Sequence, residues 1–315
     1  MRKLFISMLT LAIFTIIFGT VTYAWITIAT VNNIEGLYLS ASTGDELEIS
    51  TDGFNFSSTL DTTDLEEIFK NQSLWDVTTA DGKTFYNGGL EEISLARANH
   101  EYVSFELWFR TTKKERFIYL INNVSDKVSY DVSMDGTYVV SKGIDWKANI
   151  DFQYGENDFI KQGETRTYYA HDAIRIGFQE VVDKPYDQRE ENELRNLIFD
   201  PSKNQERGYG ISYGAYDYFT KYTHKLIELP EHIPKTVYEL TSPLEDNPYQ
   251  ADNEDSLITK MQPTGYFNEE GEEIYQSKVV VNIWVEGWDA DALDAILKDY
   301  VKIQLQFKSL SKVSV

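Results

Sequence analysis

Histidine is the first place to look for chemistry, and the chain has four: His100, His171, His224 and His232. None forms an H-E-x-x-H pair. His224 and His232 are eight apart with Pro230 between them, so a helical zinc site is not indicated. There is no cysteine, which removes disulfides, thiolate zinc ligands and cysteine nucleophiles together. "GISYG" (210–214) matches the bare G-x-S-x-G pattern, but a nucleophile elbow needs a buried strand before it and a helix after it. Here "NQERGY" precedes it, in a segment rich in Tyr and Gly. No phosphate-binding loop is present. Carboxylates are plentiful, yet a glycosidase needs two placed across a cleft, and an acidic chain supplies many chance pairs. The residues therefore point away from an enzyme, and no catalytic residue or cofactor is expected.

Calcium is the one cofactor the carboxylates suggest. The best clusters are "DADALD" (Asp289, Asp291, Asp294) and "DNED" (Asp252, Glu254, Asp255). Neither follows the twelve-residue loop with its central Gly and terminal Glu. Asp289 and Asp291 read as helix-start residues, favoured at the positive end of a helix. Asp252, Glu254 and Asp255 are kept as the candidate metal ligands. The formal net charge is −22, from 51 acidic and 29 basic residues. A chain this acidic repels nucleic acid and anionic lipid, so no nucleic-acid partner is expected. The other candidate ligand site is "RGYGISYGAYDYFTKY" (207–222), five Tyr among Gly. Tyr209, Tyr213, Tyr216 and Tyr218 offer rigid apolar area with a polar tip, suited to sugar or protein. The same rings could instead pack on a sheet.

The elements that would hold these residues are mainly β. "YVSFELWFR" (102–110) alternates, with Val103, Phe105, Leu107 and Phe109 on one face. "RFIYLIN" follows and is expected to pair beside it. "AIRIGFQEV" (173–181), "KVVVNIWVEGW" (278–288) and "VKIQLQF" (301–307) are further strands, and "ELEISTDGF" is a short one ending in an Asp-Gly turn. Helices are predicted over 63–71, 186–199 and 289–300. The absence of a strand–helix rhythm argues against a parallel α/β fold. An antiparallel β-sandwich, jelly-roll-like, with a few decorating helices is expected. It would form a single elaborated domain over 25–315, with Tyr-rich and acidic insertions around 183–275. Between Glu245 and Glu273 there are nine carboxylates against one Lys.

The N-terminus carries Arg2 and Lys3, then no charged residue from Leu4 to Thr30. This is the layout of a signal peptide over 1–24, with cleavage between Ala24 and Trp25. An uncharged run of this length could also span a bilayer as a retained anchor over 4–30. "TVTYAWITIAT" is rich in β-branched residues and reads more like a strand than a helix end. Either way the body is expected outside the cytoplasm.

Three pieces resemble one family: "TYAW" followed by "VNNIEGLYLSASTGDELEISTDG", then "HDAIRIGF", then "VVVNIWVEGWDADALDAILKDYVKIQLQF". Together they are similar to the TasA/camelysin-like exported bacterial proteins. The resemblance covers the two ends best. It implies a jelly-roll domain, a signal peptide removed by a SipW-type peptidase, and a role in surface fibres or biofilm matrix. Relatives often carry Cys after the W-x-E-G strand, where this chain has Ala292. The metalloprotease activity described for some relatives is not expected here, since no zinc motif is present. The implied partner is the chain itself, as a homopolymer. The segment behind the cut, about 25–40, would then be a donor strand adding to the next subunit's sheet, with Trp25, Ile26, Ile28 and Val31 as its assembly residues. The rival readings are an ordinary first strand, or a membrane-anchored module binding glycan or protein.

Overall fold

The computed structural model describes residues 33–42, 47–69, 74–87, 94–121, 128–226 and 228–312. Two curled sheets pack face to face in a mainly-β, sandwich-like fold. The small sheet is built on Tyr300–Leu310. Asn33–Ala41 runs parallel along one edge of it, and Phe117–Leu120 and Tyr138–Ser141 pair antiparallel along the other. Leu257–Lys260 and Thr59–Leu60 are the outer strands. The large sheet is built on Glu273–Glu286, with Val103–Thr111 on one side and Ile174–Val181 on the other, both antiparallel.

Alternation explains the core. Val103, Leu107 and Phe109 point inward with Val279, Val281 and Ile283, and face Val301, Ile303, Leu305 and Phe307 of the opposite sheet. The Phe307 ring meets Phe109 edge-on at 5.0 Å and Phe178 at 6.0 Å, the preferred geometry for aromatic pairs. The strands expected over 102–110, 173–181, 278–288 and 301–307 are all present. The run Asn282–Glu286 is buried on both faces. A second cluster of Val77, Phe85, Ile198 and Trp284 covers its outer side, which is why the alternation fades there.

Several expectations are corrected. Phe117–Leu120 does not pair with Val103–Thr111. The turn after Thr111 carries it across to the small sheet. Pairing is not wholly antiparallel: Asn33–Ala41, Asp76–Thr78 and Thr236–Val237 each pair parallel. Residues 186–199 form no long helix but one 3-10 turn, Glu191–Glu193, and the strand Asn196–Phe199. Residues 289–300 hold only the 3-10 turn Asp294–Ile296. The expected helix over 63–71 is the short Glu66–Phe69. The acidic stretch 242–275 is only partly an insertion, because Leu257–Lys260 and Gln262–Phe267 are sheet strands. Residues 215–223 are a helix rather than a Tyr-rich loop.

Candidate functional site

The densest chemistry lies at the end of the large sheet where Glu273–Glu286 finishes. Arg175, on the neighbouring strand, sits 2.7 Å from Asp200 Oδ2 and also bonds Asp289. All three side chains are 3% exposed or less. Beside them Arg207 grips Asp291 through Nε at 2.8 Å and a terminal nitrogen at 2.6 Å. Its guanidinium lies 3.9 Å over the Tyr154 ring, and the Tyr154 hydroxyl donates to Asp291 at 3.0 Å. Asp289 Oδ1 accepts the Asp291 amide at 2.8 Å. Glu286, also buried, accepts from Trp284 Nε1 at 3.0 Å and the Trp288 amide at 3.2 Å. Thus Asp289 and Asp291 are not helix-start residues. They are the acidic half of a buried ion cluster.

Arg175 faces more carboxylate than it can neutralise. Burial pushes the Asp289 carboxyl up to about 8 and the Glu286 carboxyl up to about 7, because a charge in a poorly solvated site is disfavoured. The cluster can take up protons near neutral pH. Its centre, Arg175 with Asp200 and Asp289, is almost wholly enclosed, with Arg207 and Tyr154 at its partly exposed edge.

His171 is the one histidine drawn into a polar constellation. Its Nδ1 accepts the Ser141 amide at 3.1 Å and lies 2.9 Å from Ser141 Oγ. Its Nε2 is 3.5 Å from Asp172 Oδ1. The residue types are those of a nucleophile, base and orienting acid, but the electrostatics run the wrong way. Burial lowers His171 to about 4 and raises Asp172 to about 7, whereas a general base works best near the ambient pH. Ser141 is only 5% exposed. The contact pins Tyr138–Ser141 to the 3-10 turn Ala170–Asp172.

The Tyr-rich candidate site is divided. Tyr218 is buried at 1%, edge-on to Trp146 at 5.5 Å and Phe152 at 5.3 Å. Tyr209 is buried beside the ion cluster, where its backbone bridges Asp289. The Tyr213 hydroxyl donates to the Glu206 carbonyl at 2.7 Å, and Tyr216 is half-buried. These four rings do not form one face. Ser212 of "GISYG" is exposed, and a 3-10 turn, not a strand, precedes the motif. Of the candidate calcium ligands, Asp252 accepts the Ser242 amide at 3.0 Å and Glu254 pairs with Lys312 at 2.9 Å. Among the described residues, no group of three or more His, Asp or Glu is placed to hold a metal ion.

An aromatic groove of about 500 Å³ opens on the outer face of the large sheet. Its floor is set by register: Trp108 lies opposite Lys278, and Arg110 opposite Gln276. Lys278 sits 4.4 Å over Trp108 and 2.6 Å from Glu106. Arg110 lies 4.0 Å over Phe56 and 2.7 Å from Glu48. One wall is the turn 50–56. There Asp52 Oδ1 accepts the Phe54 and Asn55 amides at 2.8 Å each, and Ser50 Oγ accepts the Gly53 amide at 3.0 Å. Gly53, at φ +74°, lays its backbone on the Trp108 ring, where a Cβ would lie 3.1 Å from Cε2. The opposite walls are Tyr186 and the exposed Tyr266.

This turn has a twin. "STDGFNF" (50–56) and "TADGKTF" (79–85) share the pattern S/T-x-D-G-x-N/T-F. Asp81 Oδ1 accepts the Lys83 and Thr84 amides at 2.8 Å, and Thr79 Oγ1 accepts the Gly82 amide at 2.9 Å. In the twin the closing Phe85 is 2% exposed and stacks on Tyr102 at 4.2 Å. In the first turn the corresponding ring is Phe56, half-buried under Arg110; Phe54, in the place of Lys83, stands 86% exposed. The repeated spacing was a legible signal for both turns; the groove itself had none.

The assembly residues Trp25, Ile26, Ile28 and Val31, the cleavage site Ala24–Trp25 and the anchor 4–30 lie outside the described residues. Among the described residues, no helix is long and apolar enough to cross a membrane. No family model, no curated protein and no solved structure matches the chain.

Proposed function

We propose that this chain is an exported, non-catalytic structural protein of the cell surface or its matrix, tethered or polymerised through the segment ahead of Asn33. The observation that carries the reading is the parallel seating of Asn33–Ala41 along Tyr300–Leu310, with eight residue pairs and one register shift between Ile34 and Gly36. Leu37 and Leu39 on this strand are fully buried. A pull applied at Asn33 along the strand loads its ladder of hydrogen bonds together rather than one by one. That is the geometry a domain held by its N-terminus needs. The uncharged, β-branched "WITIATV" runs directly into this strand and suits strand addition to a neighbouring copy. Such head-to-tail addition yields an open filament. The resemblance to the TasA/camelysin-like group points the same way, with a signal peptidase and the membrane as partners during export.

The test is N-terminal sequencing and intact mass of membrane and extracellular fractions, with electron microscopy of the sedimentable material. The expected form begins at Trp25 and is fibrous. A chain lacking residues 25–32, which spares the Asn33 strand, is expected to fold as a monomer and give no fibres. Fibres that survive the deletion, or an intact Met1 form confined to the membrane as monomers, would overturn the polymer.

A further inference from the structure

We propose that the groove around Trp108 binds an uncharged saccharide chain. This inference is independent of how the N-terminus is used. Three features of the groove carry it. The first is the turn 50–56. The same hydrogen-bonded turn is built twice, and the position that carries the exposed Lys83 in one copy carries Phe54 in the other. Phe54 is held out into solvent at 86% exposure, with Tyr266 at 64% on the far wall. The Asp52 hydrogen bonds fix the turn that bears Phe54, so this ring is presented by a rigid support, which lowers the entropy lost on binding.

The second feature is the mixture of groups. The aromatic walls stand beside polar lining groups: Arg110, held by Glu48, and Gln276, donating to Asp183 at 3.1 Å. A pyranose fits this mixture. Its polarised C–H face stacks on the electron-rich face of an aromatic ring, while its hydroxyls exchange water for carboxylate, amide and guanidinium partners. The third feature is charge and size. The net charge of −22 opposes an anionic polymer, and about 500 Å³ is in the range of sites that hold a small ligand.

The experiment uses the full chain as recovered from expressing cells, titrated with cellotetraose, chitotetraose and maltotetraose by calorimetry, alongside the anionic polymer polygalacturonate. At least one neutral tetrasaccharide is expected to bind, with a Kd of roughly millimolar or tighter. Phe54→Ala and Tyr266→Ala are each expected to weaken that binding about five- to tenfold, the contribution of one stacked ring. Both rings are exposed, so thermal unfolding should not move. Phe159→Ala, an exposed ring outside the groove, should leave binding unchanged. Silence across the neutral panel, binding of polygalacturonate alone, or affinities untouched by both groove variants would each overturn the proposal. So would a change of sedimentation in Phe54→Ala without saccharide binding, since that would make the groove a protein contact.

Discussion

The buried ion cluster makes the stability of this protein depend on pH with an unusual sign. Most folded proteins lose stability on acidification because paired carboxylates are forced to protonate. Here Glu286 and Asp289, each 2% exposed, are pushed up by burial to about 7 and about 8. In the unfolded chain both return to ordinary values near 4. A carboxyl raised in this way adds stability below its unfolded value, and that stability is lost as pH rises through its folded value. At pH 7 the folded chain holds about 1.4 protons on these two groups that the unfolded chain has released, a slope of about −1.9 kcal/mol per pH unit. Between pH 6 and 8 the two groups together give up about 3.7 kcal/mol. His171 works against them. Burial lowers it to about 4, so its contribution is present above its unfolded value and falls away in acid. It offsets about 0.8 kcal/mol over the same window. These three groups together give a loss of about 3 kcal/mol from pH 6 to pH 8, a large fraction of a typical folding free energy. Asp172 and Asp76, raised by desolvation to about 7 and about 6, add to it in the same direction.

Urea denaturation followed by circular dichroism at pH 6, 7 and 8, in constant salt, measures this directly. The midpoint should fall steadily as pH rises. Glu286→Gln removes one titration, so about 1.4 kcal/mol of the drop should vanish. A midpoint that is flat or rises from pH 6 to 8 would refute the reasoning, because both carboxylates would then be ionised in the folded chain.

Two further outcomes follow from packing. Arg175→Met leaves Asp200 and Asp289 buried without their cation and should cost about 3–5 kcal/mol at pH 8, and measurably less at pH 6, where the acids can protonate; an equal loss at both would disprove the pairing. Gly214→Ala should cost about 3 kcal/mol or more, because Gly214 sits at φ +66° and a Cβ would lie 2.1 Å from the Ala290 carbonyl oxygen. Gly265→Ala, with φ +73° but open space around it, should cost only about 1 kcal/mol, and the difference between the two urea midpoints checks the clash.

How much of this was legible follows from the range of each interaction. Strict alternation marked Val103–Thr111 and Tyr300–Leu310 because one face of each is core. The Asp-Gly turn at 52–53 was visible from its residues. Residues 289–300 read as a helix because an Asp-rich start followed by Ala and Leu is a local helix signal. The carboxylates of Asp289 and Asp291 instead answer to Arg175 and Arg207, 114 and 84 positions away, and no local pattern reports a partner at that distance. Residues 186–199 misled in a similar way. Leu197 and Ile198 lie on opposite faces of a strand, one toward the core and one under the outer cluster, which in a short window mimics a helical stripe. The groove draws Phe54, Trp108, Tyr186 and Tyr266 from four separate elements, so spacing could not reveal it. Tyr density in 207–222 instead marked rings such as Tyr218, which pack against Trp146 and Phe152 in the core.

A chain without cysteine must close its fold by other means, and here closure joins the two ends. Leu37 pairs with Ile303 and Leu39 with Leu305, contacts spanning most of the chain. Pairings this distant form late, because the entropy of closing the loop comes before any return from burial. Until Tyr300–Leu310 arrives, the small sheet lacks its central strand, and Asn33–Ala41, Phe117–Leu120 and Tyr138–Ser141 have no neighbour in common. For a protein proposed to cross a membrane N-terminus first, this order is an advantage. Under that proposal the small sheet would be completed only when the C-terminal strand has crossed, and seating that strand would also fix Asn33–Ala41, through which the N-terminal segment would tether or polymerise the domain.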